Sequence, residues 1–323
     1  MANFGKRLLG IIPDATRASP GRMATAPPMS PAAMQLDIFE HSRDLMLRND
    51  VLHALQRRDA TQSRQAWQQL QAAYADDAAL ADLDRLVSEL ERPAGPTFAT
   101  AAEACAARRT MEDELLPAAQ RQWGATAAAA WLAPRWAALA QRAEPLPFDA
   151  DAAEGHAAAL HLRAGDFAAA AASVTRIASW RRIPAPLAWM VEARFRLDGL
   201  DASWALLAEL AWLAPQRSDA LTRRLADPLL TRLRRQFDAE FEGDGQEPDG
   251  AWFPAWVLCE KPALAAPLGQ AQPGLQRAPE RALRLLLDLL HLERQGRQHE
   301  LPQRRKQLRE LQPGLYAAYL KSR

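Results

Sequence analysis

This 323-residue sequence predicts an all-α fold of stacked antiparallel helix pairs, with an irregular helical bundle as the alternative arrangement. Three observations carry that prediction. From Leu36 onward Ala, Leu, Arg, Gln and Glu dominate and β-branched residues are few, which favours helix. Apolar residues recur at three- and four-residue steps, as at Leu47, Val51 and Leu55, the spacing of one helix face. No run alternates with period two, and no Asn-Gly or Asp-Gly turn joins two such runs, so nothing signals a sheet.

Taken in order, residues 1–34 carry Pro13, Pro20, Pro27, Pro28 and Pro31 among small residues without apolar periodicity. Such a segment buries too little surface to offset the entropy of ordering, and a disordered leader is expected. A helical region then spans 35–242. Its first helix has a natural start at Asp37, an N-cap with Glu40 three residues on in a variant of the capping box. Three later segments are internally alike: "HALQRRDATQSRQAWQQL", "LHLRAGDFAAAAASVTRI" and "ARFRLDGLDASWALLAEL". Each reads as a helix, a tight turn, a capping Asp (Asp59, Asp166, Asp201) and a second helix. A small residue follows four positions after each Asp (Ser63, Ala170, Ala205) and lets the two helices approach closely. Residues 243–279 break the pattern with an acidic loop and a Pro-interrupted apolar stretch, read as an irregular connection with short helices. The span 280–323 closes the chain with a helix over 280–294, a turn at Gly296, a second helix over 301–311, and "GLYAAYL" packing at the end.

The 35-residue step from Asp166 to Asp201, and the 107 residues from Asp59 to Asp166, fit a period near 34. Helix–turn–helix units at that period resemble the tetratricopeptide repeat family. "AGDFAAAAA" is the best match, with Gly165 at the turn, Phe167 at the aromatic position and Ala170 at the small one; Pro215 resembles the proline that closes a unit. Arg58 and Leu200 stand where the other two units should carry the turn glycine, and the family's early Trp and Leu-Gly positions are not reproduced. The resemblance implies a solenoid whose first helices line a concave protein-binding face. Counting from the turns, that face should include Arg48 and Asn49, His156 and Arg163, and Arg194 and Asp198. An arginine-rich groove suits an acidic segment or a C-terminal carboxylate, because a guanidinium holds a carboxylate through two parallel hydrogen bonds.

Chemistry has little footing. His156 and His161 lie five apart, on different faces of a helix, and the other histidines have no liganding company. Neither Cys105 nor Cys259 belongs to a CxxC pair, and a reduced compartment follows. "EHSRD" brings His41, Ser42 and Asp44 together without a GxSxG elbow, the acidic loop lacks the calcium-loop order, and no phosphate-binding glycine loop occurs. The sequence therefore predicts a non-enzymatic protein with no cofactor and no metal. Lys and Arg number 40 against 39 Asp and Glu, so no global field draws the chain to nucleic acid or an anionic membrane. From Arg277 on, eleven basic residues face five acidic ones, which reads as the wet outer face of a terminal unit rather than a nucleic-acid surface. The apolar run at 8–12 is too short for an export signal, and no stretch approaches the roughly 20 apolar residues of a membrane span, so a cytoplasmic protein is expected.

One short stretch supports a sharper alternative. Gln35, Leu36, Asp37, Ile38 and Phe39 resemble the pentapeptide by which bacterial replication and repair proteins dock on the DNA sliding clamp. The resemblance implies that Leu36, Ile38 and Phe39 fill apolar pockets on the clamp while Gln35 satisfies polar groups at their rim. An accessory factor of DNA replication or repair is thus the alternative to a general protein-binding scaffold, and the helix start described above is the other reading of the same residues.

Overall fold

The structure, a computed structural model, describes residues 31–323 apart from Asp244, with side chains from Arg43 onward. Every regular element among the described residues is helical, in keeping with the composition. None of these helices is long and apolar enough to cross a membrane. The expected leader lies mostly outside the described residues, as do the side chains of Gln35, Leu36, Asp37, Ile38 and Phe39. Their backbone belongs to α1 (Pro31–Gln56), so the helix does not begin at Asp37 as expected.

α1 pairs with α2 (Ala60–Ala73), and α3 (Leu80–Glu91) covers them. Asp59 caps α2 as expected, accepting from the Gln62 N–H at 2.9 Å, and Ser63 is fully buried against α1. α4 (Ala101–Thr110) runs through a π-helical turn, Met111–Leu115, into α5 (Leu116–Ala143), which is broken at Gly124 where φ is +75°. α6 (Ala157–Ala164) and α7 (Phe167–Thr175) form the next pair about a left-handed Gly165. Asp166 caps α7 through the Ala169 N–H at 3.0 Å, and Ala170 is completely buried.

The third pair, α8 (Pro184–Asp198) and α9 (Trp204–Leu213), departs from expectation. Its left-handed residue is Gly199, 34 residues after Gly165, so the turn glycine sits one place before Leu200. Asp201 consequently falls inside a 3₁₀ turn, Asp201–Ser203, and does not cap α9. Ala205 is only half-buried, and Ser203 is the fully buried small residue at this crossing. Pro215 opens α10 (Pro215–Leu225) at its first position. α11 (Pro228–Glu240) follows, capped by Asp227.

Between 243 and 279 the chain forms a helix that runs on through Pro254, α12 (Asp249–Glu260), a 3₁₀ turn at Pro262–Leu264 and the short α13 (Ala265–Gly269). α12 is buried from Gly250 to Cys259 and touches α9, α10, α14 (Ala278–Arg294) and α16 (Pro313–Lys321), so this segment is core rather than connection. A helix apolar on all sides is what a fully surrounded position requires. Pro254 inside it removes one hydrogen bond without ending the helix, because Trp252, Phe253 and Trp256 hold it among aromatic neighbours. α14, the left-handed Gly296 and α15 (Leu301–Leu311) stand where the sequence places them, and α16 buries Leu315 and Tyr319.

Two hydrophobic cores result. One gathers buried side chains from Val51 to Leu160, the other from Ala158 to Tyr319. α6 serves both: Ala157 and Leu160, three apart on one face, enter the first core, while Ala158 and Ala159 on the other face enter the second.

Candidate functional site

Consecutive first helices α6, α8 and α10 lie side by side and leave a groove of about 390 Å³ between them. Each helix presents one face to it. α6 gives Leu162 and Arg163, α8 gives Trp189 and Glu192, and α10 gives Arg217 and Arg224. The spacing within α10, with Gln216, Ala220 and Arg224 four residues apart, is the spacing of a single helical stripe.

The charges around this groove are unevenly matched. Arg163 donates from Nε to Glu112 Oε1 at 2.9 Å, and Arg108 shares the same carboxylate. Arg224 pairs with Glu192 across the α8–α10 boundary. Exposed Arg217 has no acidic partner among the described residues, and neither has Glu154 a basic one. The apolar floor is Leu162, Ala188, Leu221 and the edge of Trp189.

Of the six residues expected on a common concave face, only Arg163 lines this groove. His156 is the clearest correction. It is 8% exposed and serves as the N-cap of α6, its Nδ1 accepting from the Ala158 N–H at 3.1 Å. Its ring stacks on Trp189 with centroids 5.6 Å apart and meets Phe148 edge-on at 5.9 Å. Burial, reinforced by the nearby His161, pushes its pKa down to about 4, so the ring is neutral at pH 7. A capping side chain folds back onto its own backbone, which removes it from the surface that a turn-based count assigns to it.

The remaining four stand apart from the groove. Arg194 and exposed Asp198 pair with each other on α8 at 2.9 Å, on a side that the groove does not use. Arg48 is tied to Asp77 at 2.6 Å and Asp44 at 3.2 Å, and exposed Asn49 lies beside it on α1. α1 packs on α2 and α3, and α3 and α5 separate it from α6, so the first pair is not in register with the later ones. Arg217 and Arg224 were missed because the sequence offers no turn glycine or capping Asp to mark α10 as the next first helix; the four-residue stripe from Gln216 was the available signal.

No protein-family model matches the chain, and no curated protein or solved structure matches it either.

Proposed function

We propose that the chain is a non-enzymatic scaffold that holds an acidic segment of another protein in the groove of α6, α8 and α10. The observation that carries this reading is Arg217, an exposed guanidinium without a carboxylate, standing over an apolar floor between two further arginines. Arg163 shares Glu112 with Arg108, so two guanidinium groups there meet one carboxylate, and an incoming acid would complete both sites. Leu162 and Trp189 supply apolar contact for an aliphatic or aromatic neighbour of that acid.

The test is selection of ten-residue peptides from a display library on the immobilised chain, followed by titration of synthetic copies. Binders enriched in Asp and Glu, with dissociation constants in the micromolar range (about −8 kcal/mol), are expected. Their affinity should fall about tenfold in Arg217→Ala and further in Arg217→Ala/Arg224→Ala. Binders without acidic enrichment, or indifferent to both substitutions, would remove the groove from consideration.

A further inference from the structure

A second cleft, on the other core and away from the groove, has a different electrostatic character. It consists of two neighbouring hollows of about 350 and 180 Å³ that share Glu89, Arg92 and Arg135 as wall residues. Arg58, at the turn between α1 and α2, lines the smaller hollow; Arg142, near the end of α5, lines the larger. Of the charged residues on its walls, four are guanidinium groups and one is a carboxylate.

That carboxylate is already used. Glu89 takes Arg135 on Oε1 and Arg92 on Oε2, the latter at 3.4 Å. Arg58 and Arg142 have only neutral acceptors: Arg58 donates to the Trp131 carbonyl, and Arg142 Nε donates to the Pro96 carbonyl at 2.7 Å. Each also lies over an aromatic ring, Arg58 at 5.4 Å from Trp131 and Arg142 at 3.9 Å from Phe98. Burial lowers the pKa of both, and for Arg142 the repulsion of Arg135 and Arg92 adds to it, partly offset by the attraction of Glu103 outside the cleft walls. Arg58 holds its position with φ at +56°, a conformation in which a side-chain-bearing residue is strained. The π-helical turn, a device frequent at functional sites, supplies Met111 and Leu115 to the wall of the larger hollow.

From this convergence we propose that the cleft binds a compact polyphosphate, meaning a small molecule with a di- or triphosphate chain, held by Arg58, Arg92, Arg135 and Arg142. Planar guanidinium forks match phosphate oxygens two at a time, and four guanidinium groups against one wall carboxylate suit a chain carrying several negative charges. The two hollows, with Arg92 and Arg135 on the wall of both, suit an elongated anion better than a single oxyanion. The site is independent of the peptide groove and survives or falls separately.

The experiment is calorimetric titration of the full chain with inorganic tripolyphosphate, with adenosine triphosphate and with citrate, at fixed ionic strength. Saturable binding of the phosphates, at least about tenfold tighter than citrate, is expected. Arg58→Gly and Arg92→Gln, both altering exposed side chains, should each weaken it about tenfold, and Arg194→Ala should leave it unchanged. Tighter binding of adenosine triphosphate than of tripolyphosphate would identify a nucleotide; equal binding would identify the phosphate chain alone as the recognised element. Absence of saturable binding, citrate binding as tightly, or indifference to both Arg58→Gly and Arg92→Gln would overturn the proposal.

Discussion

The two arginine-bearing hollows use the same side chain in opposite ways. In the groove of α6, α8 and α10, Arg224 and Arg163 each meet a carboxylate, and Arg224 remains half in water with 53% of its side chain exposed. In the cleft between α3, α4 and α5, Arg135 is 16% exposed and competes with Arg92 for one buried Glu89, while Arg58 and Arg142 donate to backbone carbonyls and form no ion pair among the described residues. Counting arginines in the sequence therefore says little about local potential. What matters is how many carboxylates the fold delivers to them and how much water is left, because desolvation raises both the strength of a pair and the cost of breaking it.

Removing one acid from each region tests that difference most directly. Glu89→Ala leaves Arg135 buried without a counter-charge, and a loss of about 3–5 kcal/mol in urea-unfolding free energy is expected. Glu192→Ala frees Arg224 into solvent, and a loss below about 1 kcal/mol is expected from the pair itself. Equal losses would mean that the two regions differ in arrangement but not in desolvation. Glu89→Gln should also tighten polyphosphate binding, since it removes the only carboxylate on the walls of that cleft.

His156, stacked on Trp189 outside the lining of the groove, yields a pH test of intermediate size. His156 is held neutral with its pKa near 4, against about 6.5 when unfolded. The unfolded chain thus binds the extra proton first as pH falls, so the stabilisation is complete above pH 6.5 and is lost between pH 6.5 and 4. Linkage over that window amounts to about 3 kcal/mol. His161, lowered chiefly by burial, acts in the same direction, whereas the raised carboxyls of Glu209 and Asp219 act in the opposite one. His156→Asn keeps a capping side chain and removes the titration, so the difference in stability between the two proteins isolates His156. It should shrink by about 3 kcal/mol from pH 7 to pH 4; a constant difference would show that His156 is hydrated in solution.

Much of the scaffold was legible from short-range chemistry. Asp59 and Asp166 cap the helices they were expected to cap, Gly165 and Gly296 take left-handed turns, and α14 and α15 end where the charge and glycine signals place them. Each of those signals is complete within a few residues. Elements whose form depends on surroundings are less legible: α12 is enclosed by α9, α10, α11, α13, α14 and α16, and its Pro254 reads in isolation as a break. Asp201 reads as a cap only if Leu200 is the turn residue; with Gly199 in that role it falls inside the 3₁₀ turn. The candidate site was hardly legible. A groove between three helices depends on how successive pairs align, and one intervening arrangement, α3 to α5, was enough to separate Arg48 from Arg163.

The smallest test concerns the two turns. Arg58 and Gly165 occupy equivalent places, each just before a capping Asp, with φ of +56° and +77°. Gly165 has open space where a Cβ would sit, so Gly165→Ala should cost only the backbone penalty, about 1 kcal/mol in a thermal or urea melt. Arg58→Gly relieves the same penalty, loosens the unfolded chain by a similar amount, and gives up a ring contact with Trp131 worth about 0.5–1 kcal/mol. The sum is a change within about 1 kcal/mol, together with the roughly tenfold weakening of polyphosphate binding. A strained arginine that contributes little to stability is explained by what its guanidinium meets in the cleft. If Arg58→Gly instead destabilises the chain by several kcal/mol and leaves anion binding intact, Arg58 is a strut that ties the first turn to the Trp131 carbonyl, and the contrast between the two turns reduces to packing.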